Sequence, residues 1–314
     1  MNNRLDSIDQ FRGLAILLMV LVNYAADVQA IPAWFKHAHD IGFTVADLVA
    51  PMFIFAIGLT FGFSARKRRE RDGLRLTLEH FARRYLAILG IGAILSAGET
   101  MLGMNSSGID WGALQSIGGA GLVTLLVIFL PTKTRFALGV GLLAVYQILL
   151  NTFWLDLVLR SPHGGLPGTL SWSAMLILAT ILADLFHDEP RRNYFYLASA
   201  LALAAGLALA FLVPVSKNRV SASYDLIALG LSALIFSLFH LSKANLSLLA
   251  AWGQNPILLY LLHYLVLAFF VLPGIPIWHA QAPLWLAGLQ ALTLVVILSL
   301  IAREWQKRGF VFSI

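Results

Sequence analysis

Cysteine is absent from this sequence. Its absence excludes disulfides, thiolate nucleophiles, zinc–thiolate centres and iron–sulfur clusters. Charge is scarce too: Asp, Glu, Lys and Arg make up 12% of the residues, about half of what a soluble domain carries. No soluble domain, internal repeat or low-complexity tract interrupts the chain. What is plentiful is apolar, at 59% of the residues. So much apolar surface cannot all be enclosed in one aqueous core, so lipid must be the solvent for much of it. The sequence predicts an all-α fold, a polytopic integral membrane helix bundle.

Crossing the hydrocarbon takes about 20 apolar residues as helix. Runs at 11–29, 43–64, 81–97, 113–130, 135–152, 170–186, 194–213, 222–240, 255–272 and 284–302 meet that need, which predicts about ten transmembrane helices. With a cytoplasmic N-terminus, 18 of the 22 Lys and Arg fall inside and four (Lys36, Arg160, Lys217 and Arg219) outside. That asymmetry supports the spans and the orientation together. It also accounts for the net charge of +6 without nucleic acid as a partner. The run Arg66-Lys67-Arg68-Arg69-Glu70-Arg71 is the strongest anchor, suited to anionic lipid head groups at the cytoplasmic face of the bilayer. Both termini are then expected in the cytoplasm. The first 30 residues loosely resemble a signal peptide, but Asp6 and Asp9 occupy the part that should be basic, so a retained first helix is expected.

Ionisable groups in membrane helices are costly, which makes each a functional candidate. Asp9 and Arg12, spaced i, i+3, share a face at the start of the first helix, with Ser7 expected as its N-cap. Asp47 opens an otherwise apolar helix just after His37 and His39. A carboxylate beside an imidazole fixes its tautomer and supports its charged form. The same three side chains read as a metal site make a weak ligand set. Asn23-Tyr24 lies near the outer end of the first helix, where an amide can hold a carbonyl or tie two helices. Late in the chain, Asn255 and His263 stand eight residues apart, able to share an interior surface. Tyr224, Asp225 and the pair Gln115-Ser116 are further polar candidates.

Together these residues resemble the heparan-α-glucosaminide N-acetyltransferase family and its bacterial relatives, within a wider superfamily of transmembrane acyltransferases. The opening Arg4-Leu5-x-Ser7-x-Asp9-x-Phe11-Arg12-Gly13, and Met19-Val20-Leu21-Val22-Asn23-Tyr24 after it, are similar to the family's first motif. His37, Gly42, Thr44, Ala46, Asp47, Leu48, Pro51, Phe53, Phe55 and Gly58 match its loop histidine followed by a helix opening with Asp. Leu114-Gln115, Gly253-x-Asn255-Pro256 and His263 resemble shorter later motifs. Two departures stand out: Ser116 replaces an arginine common in the family, and His39-Asp40-Ile41 stands where a tryptophan is common.

The resemblance implies one transmembrane acyltransferase-like domain over 1–314, in the inner (plasma) membrane of a bacterium. The implied reaction takes an acetyl group from cytoplasmic acetyl-CoA to an amine or hydroxyl of an external sugar or glycan, without a metal. A homodimer is also implied. His37 would be the general base, or a transient acyl carrier, with Asp47 orienting it and Asn23 polarising the thioester carbonyl. Arg4, Arg12, Arg83 and Arg84 would pair with the phosphates of the donor. Ser7, Asp9, Gln115, Asn255 and His263 complete the expected donor site. Loops 98–112 and 160–169 are expected to shape acceptor choice. A transporter of a small polar solute has similar helices and buried polar groups. Against it, the ionisable residues cluster at two helix starts rather than along a midplane path. The third reading is a catalytically inactive relative.

Overall fold

The computed structural model describes residues 6–101 and 110–312. The expected donor-site residue Arg4 and most of loop 98–112 lie outside them. Among the described residues there are helices and no strand. The α-helices among the described residues are α1 (Asp6–Ala25), α2 (Val45–Met101), α3 (Ala113–Val127), α4 (Thr132–Leu149), α5 (Leu155–Val158), α6 (Gly165–His187), α7 (Arg192–Leu209), α8 (Ala222–Ser242), α9 (Ser247–Gln254), α10 (Pro256–Val271) and α11 (Leu284–Lys307). A π-helical turn, Leu150–Trp154, joins α4 to α5.

Among the described residues, six helices are long and apolar enough to cross a membrane, or seven if the bent pair α9–α10 counts as one span. The protein is a polytopic helical membrane protein, but this count falls short of the expected ten, for physical reasons. A straight α2 of 57 residues would run ~86 Å, nearly three bilayer cores. It is interrupted at Gly73, whose φ of 81° is open only to a residue without a Cβ. Phe61 and Phe81 then meet with ring centroids 5.0 Å apart, and Phe61 and Tyr85 at 5.2 Å. Only a chain folded back on itself brings them together, so α2 is a hairpin that holds two of the predicted runs. Helix α3 has 15 residues, short of a full span. Helix α7 opens on Arg192 and Asn193, which dilute its apolar character.

The chain forms two compact units. The first takes the chain up to Ala38, Phe43–Phe53 and the chain from Ile235 onward. Its core joins Val20, Tyr24, Trp252, Leu259, Ala287 and Leu294, all under 2% exposed. Helix α1 lies against α9 at backbone distance: a Cβ on Gly13 would stand 1.8 Å from the Leu249 carbonyl oxygen, and one on Gly253 1.8 Å from that of Asp9. Asn255 then turns the chain by 92° into α10, with Pro256 in the first helical turn, where its missing N–H costs nothing.

The second unit takes His39–Gly42 and Ile54–Leu234. Helix α6 is buried on nearly every side from Thr169 to Ala179, as a helix enclosed by others must be. Arg135, 2% exposed, fastens α4 to α6: it pairs with Asp184 and donates to Thr180 Oγ1 at 2.7 Å and the Leu130 carbonyl at 3.1 Å. Asp184 Oδ1 also accepts from Arg66 at 2.8 Å. A guanidinium removed from water needs all of these partners.

Candidate active site

The first unit places His37 and Asp47 together. Thr44 ends the extended loop and α2 starts at the next residue, so Asp47 falls in the first helical turn, where free backbone N–H groups favour a carboxylate. Asp47 Oδ2 accepts from the backbone N–H of Thr44 (3.0 Å) and of Ala38 (3.2 Å), while Oδ1 accepts from His37 Nδ1–H at 2.8 Å. The Thr44 hydroxyl has one proton to share between Asp47 Oδ2 (3.0 Å) and the Lys36 carbonyl (2.7 Å). The carboxylate is fully buried, whereas the His37 side chain is 40% exposed. A carboxylate only accepts, so the proton of neutral His37 sits on Nδ1 and the lone pair on Nε2. That is the tautomer of a general base. The side chain on Asp47 is His37, not His39.

Asn23, of the same unit, meets His263 across 240 residues of sequence: Nδ2 lies 2.9 Å from His263 Nε2. The other ring nitrogen, Nδ1, faces the Tyr260 carbonyl. A carbonyl can only accept, so Nδ1 carries the proton, Nε2 accepts, and Asn23 donates. This fixes the amide orientation and leaves its second N–H and its oxygen for another partner. His263 is wholly buried, and both its nitrogens are used.

The other expected site residues divide between the units. Helix α1 begins at Asp6, so Ser7 lies inside its first turn and is not the N-cap. Asp9 is buried and lies 3.6 Å from Arg12. Asn255 does not share a partner with His263: its amide donates to the Phe310 carbonyl (2.9 Å) and accepts from the Phe312 N–H (2.6 Å), which tethers the segment after α11. Arg83, Arg84 and Gln115 belong to the second unit. Arg83 is highly exposed and pairs with Glu79 one turn earlier. Gln115 is buried, donates to the Asp110 carbonyl at 3.0 Å, and faces Gly92, where a Cβ would stand 2.5 Å from its oxygen.

Two arrangements escaped the sequence reading. Arg219 grips Asp40 with Nε at 2.9 and 3.1 Å from the two oxygens, and Ser216 adds a bond at 2.9 Å. The Arg219 hydrogen bond holds the Asp40 carboxyl below its usual range, against partial burial. The signal was an arginine among the few expected outside, paired with the residues that stand where the resembled family has a tryptophan. The second arrangement joins Tyr24, Gln290 and the 276–282 turn. The Tyr24 hydroxyl donates to Gln290 Oε1 at 2.8 Å and Gln290 Nε2 to the Trp278 carbonyl at 2.8 Å. Nothing short of the fold brings those residues together. Among the described residues, no three His, Asp or Glu side chains are grouped as a metal site requires.

A buried carboxylate that sets the tautomer of a half-exposed histidine gives this polytopic helical membrane protein the geometry of a general base at a helix start. The family model described as "Heparan-alpha-glucosaminide N-acetyltransferase, catalytic" matches residues 4–172, more than half of the 314. The chain therefore belongs to that family. It is 43% identical over 76 residues to heparan-alpha-glucosaminide N-acetyltransferase of Mus musculus, covering 24% of this chain and 11% of that protein. It is 36% identical over 122 residues to the Homo sapiens protein of that name, covering 37% and 17%. The aligned stretch thus spans less than a fifth of either relative. His37, Asp47 and Asn23 fall inside the family match, whereas Asn255, His263 and Arg219 lie beyond it.

Proposed function

We propose that this protein is a membrane acyltransferase that moves an acetyl group from cytoplasmic acetyl-CoA to an amine or hydroxyl of an extracytoplasmic sugar or glycan. The observation that carries the reading is the His37–Asp47 pair inside a catalytic-family match. His37 Nε2 takes the proton of the acceptor amine or hydroxyl as its nitrogen or oxygen bonds to the thioester carbonyl carbon. Asn23, held by His263, offers its remaining N–H to the carbonyl oxygen, where negative charge develops. The carbon–sulfur bond then breaks, the sulfur leaves with the proton returned by His37, and the products are acetylated acceptor and free CoA thiol. Arg4 and Arg12 are proposed for the donor's phosphates, as are Arg83 and Arg84, and Ser7, Asp9, Gln115 and Asn255 are the further donor-site candidates. The protein sits in the inner membrane with both termini cytoplasmic, and a second copy of the chain is its proposed partner.

The test is purified protein in nanodiscs, supplied with acetyl-CoA and a panel of amino sugars and glycans, with thiol release followed over time. Acceptor-dependent release that His37→Ala abolishes, in a variant that still folds and binds acetyl-CoA, is the expected result. Equal release by that variant would remove His37 from the reaction. Passage of a solute with no covalent change would replace the enzyme reading by transport.

A further inference from the structure

The short link between His37 and α2 is fastened at three points to the loop before α8. Asn218 Nδ2 donates to the His39 carbonyl at 2.6 Å. Arg219 Nε donates to both oxygens of Asp40, at 2.9 and 3.1 Å, and a terminal guanidinium nitrogen adds another bond to the same carboxylate. The Gly42 N–H donates to the Val215 carbonyl at 2.8 Å. All of these residues belong to the second unit. The loop that does the holding is itself a rigid mount. Ser221 N–H donates to the Ser216 carbonyl and Ser216 N–H to Ser221 Oγ, both at 3.1 Å, which closes it end to end. The Tyr146 hydroxyl of α4 donates to the Arg219 carbonyl at 2.7 Å, and Ser171 Oγ of α6 lies 2.9 Å from the Val220 carbonyl. Val220 is held at a φ of 48°, which a β-branched residue takes only where its surroundings impose it.

We propose that Arg219 and Asp40 are positioning residues, a clamp that keeps the Asp47 carboxylate seated and so keeps His37 in its general-base tautomer. The inference rests on the acyltransferase reading and adds to it what holds the base in place. Asp47 Oδ2 takes its two backbone bonds from Ala38 N–H and Thr44 N–H. Those donors stand at either end of residues 39–43, so the path of that link sets their spacing through covalent continuity alone. Left free, the link has two soft dihedrals at each residue and nothing to keep the two N–H groups converged. A forked guanidinium–carboxylate pair fixes direction as well as distance, which such a clamp requires. The pair is partly exposed, with side chains 21% and 33% accessible, so its share of stability is small. Its effect belongs in the rate, where a displacement of about 1 Å can cost as much as 10²-fold.

The experiment uses the full chain in nanodiscs with Arg219→Ala, Asp40→Ala, the double variant and Arg219→Lys, which keeps the charge but not the fork. Thiol release gives kcat and KM with a working acceptor. Beside it, nitrogen NMR of histidine-labelled protein reads where the His37 proton sits, the His37 signals being those lost in His37→Ala. Each single alanine variant should lower kcat about tenfold, with KM and acetyl-CoA affinity level and His37 divided between its two tautomers. The double variant should fall no further than either single one, and Arg219→Lys should recover part of the loss. Unchanged kcat and an unchanged His37 tautomer in folded Arg219→Ala would overturn the clamp and leave the acyltransferase reading intact. A raised acceptor KM with kcat unchanged would make Arg219 an acceptor contact, and losses that multiply in the double variant would separate the two residues; either overturns the clamp. Wild-type protein that releases no thiol with any acceptor would end the acyltransferase reading, and the His37 nitrogens would then decide by themselves whether Arg219 and Asp40 seat the pair.

Discussion

A carboxylate with both oxygens engaged cannot turn, and Asp47 is held in that way: one oxygen fixes the His37 tautomer while the other closes the start of α2. Asp47→Asn must place an N–H either against His37 Nδ1–H or against the N–H groups of Thr44 and Ala38. The second choice sets donor against donor, and the first turns His37 to the tautomer with its proton on Nε2, where no base remains. The variant should lose about 10²- to 10⁴-fold in turnover, with a displaced pH profile, and about 1 kcal/mol of stability from the weakened cap. Thiol release across pH together with a melting curve checks both, and an unchanged pH profile would remove Asp47 from the reaction. In the proposed reaction His263 would act at one remove, through the Asn23 amide it holds. His263→Phe fills the same space without accepting from the amide, and should lower kcat by up to about 10²-fold while the KM for acetyl-CoA stays level. A rise in that KM with kcat unchanged would make His263 a donor-binding residue instead. The sequence showed the first pair because its members are ten residues apart, on one loop and one helix start. It could not show the second, since the partner of Asn23 is chosen only when α1 meets α10.

Helices that approach at backbone distance tolerate no added atoms, and α1 against α9 is the case here. Reciprocal glycines, Gly13 over Leu249 and Gly253 over Asp9, let each backbone rest on the other. Gly13→Ala would drive a methyl into a carbonyl that has no side chain to swing aside. Overpacking of this kind costs roughly 1–3 kcal/mol, read as a lower melting temperature in detergent, and a variant as stable as wild type would mean that the helices part freely. The ion pair Asp40–Arg219 makes a smaller, pH-dependent contribution. The folded Asp40 carboxyl lies below its usual value, so its stabilisation is fully present above the unfolded pKa of about 4 and fades as pH falls through the lower folded value. Partial exposure screens the pair to about 1 kcal/mol or less. Arg219→Ala should therefore lower the melting temperature slightly at pH 7 and progressively less as the pH falls below about 4. Hydropathy found the apolar runs, since lipid solvation acts on composition alone. It separated 43–64 from 81–97 and began a run at 255, but it could not show that the first two are one helical hairpin turning at Gly73 or that α9 meets α10 at 92°, because a backbone break leaves only one glycine or one Asn-Pro as its trace.

Orientation is a property of the chain as a unit, set by where its cations can remain. Arg66 to Arg71 and the other basic residues near the hairpin tip are held at the cytoplasmic face if crossing the bilayer costs each of them a few kcal/mol. The proposed direction of acetyl transfer depends on that placement: donor phosphates need the basic side, and His37 must face the other. The absence of cysteine makes this directly testable, because any single introduced thiol is the only one present. Arg71→Cys and Arg160→Cys replace exposed side chains on faces expected to be opposite. In intact cells a membrane-impermeant maleimide should label Arg160→Cys at once and Arg71→Cys only after permeabilisation. The reverse pattern would put the basic hairpin on the wrong side for a cytoplasmic donor. Labelling of both from outside would mean that the hairpin does not return across the bilayer, and that Gly73 turns the chain for some other purpose.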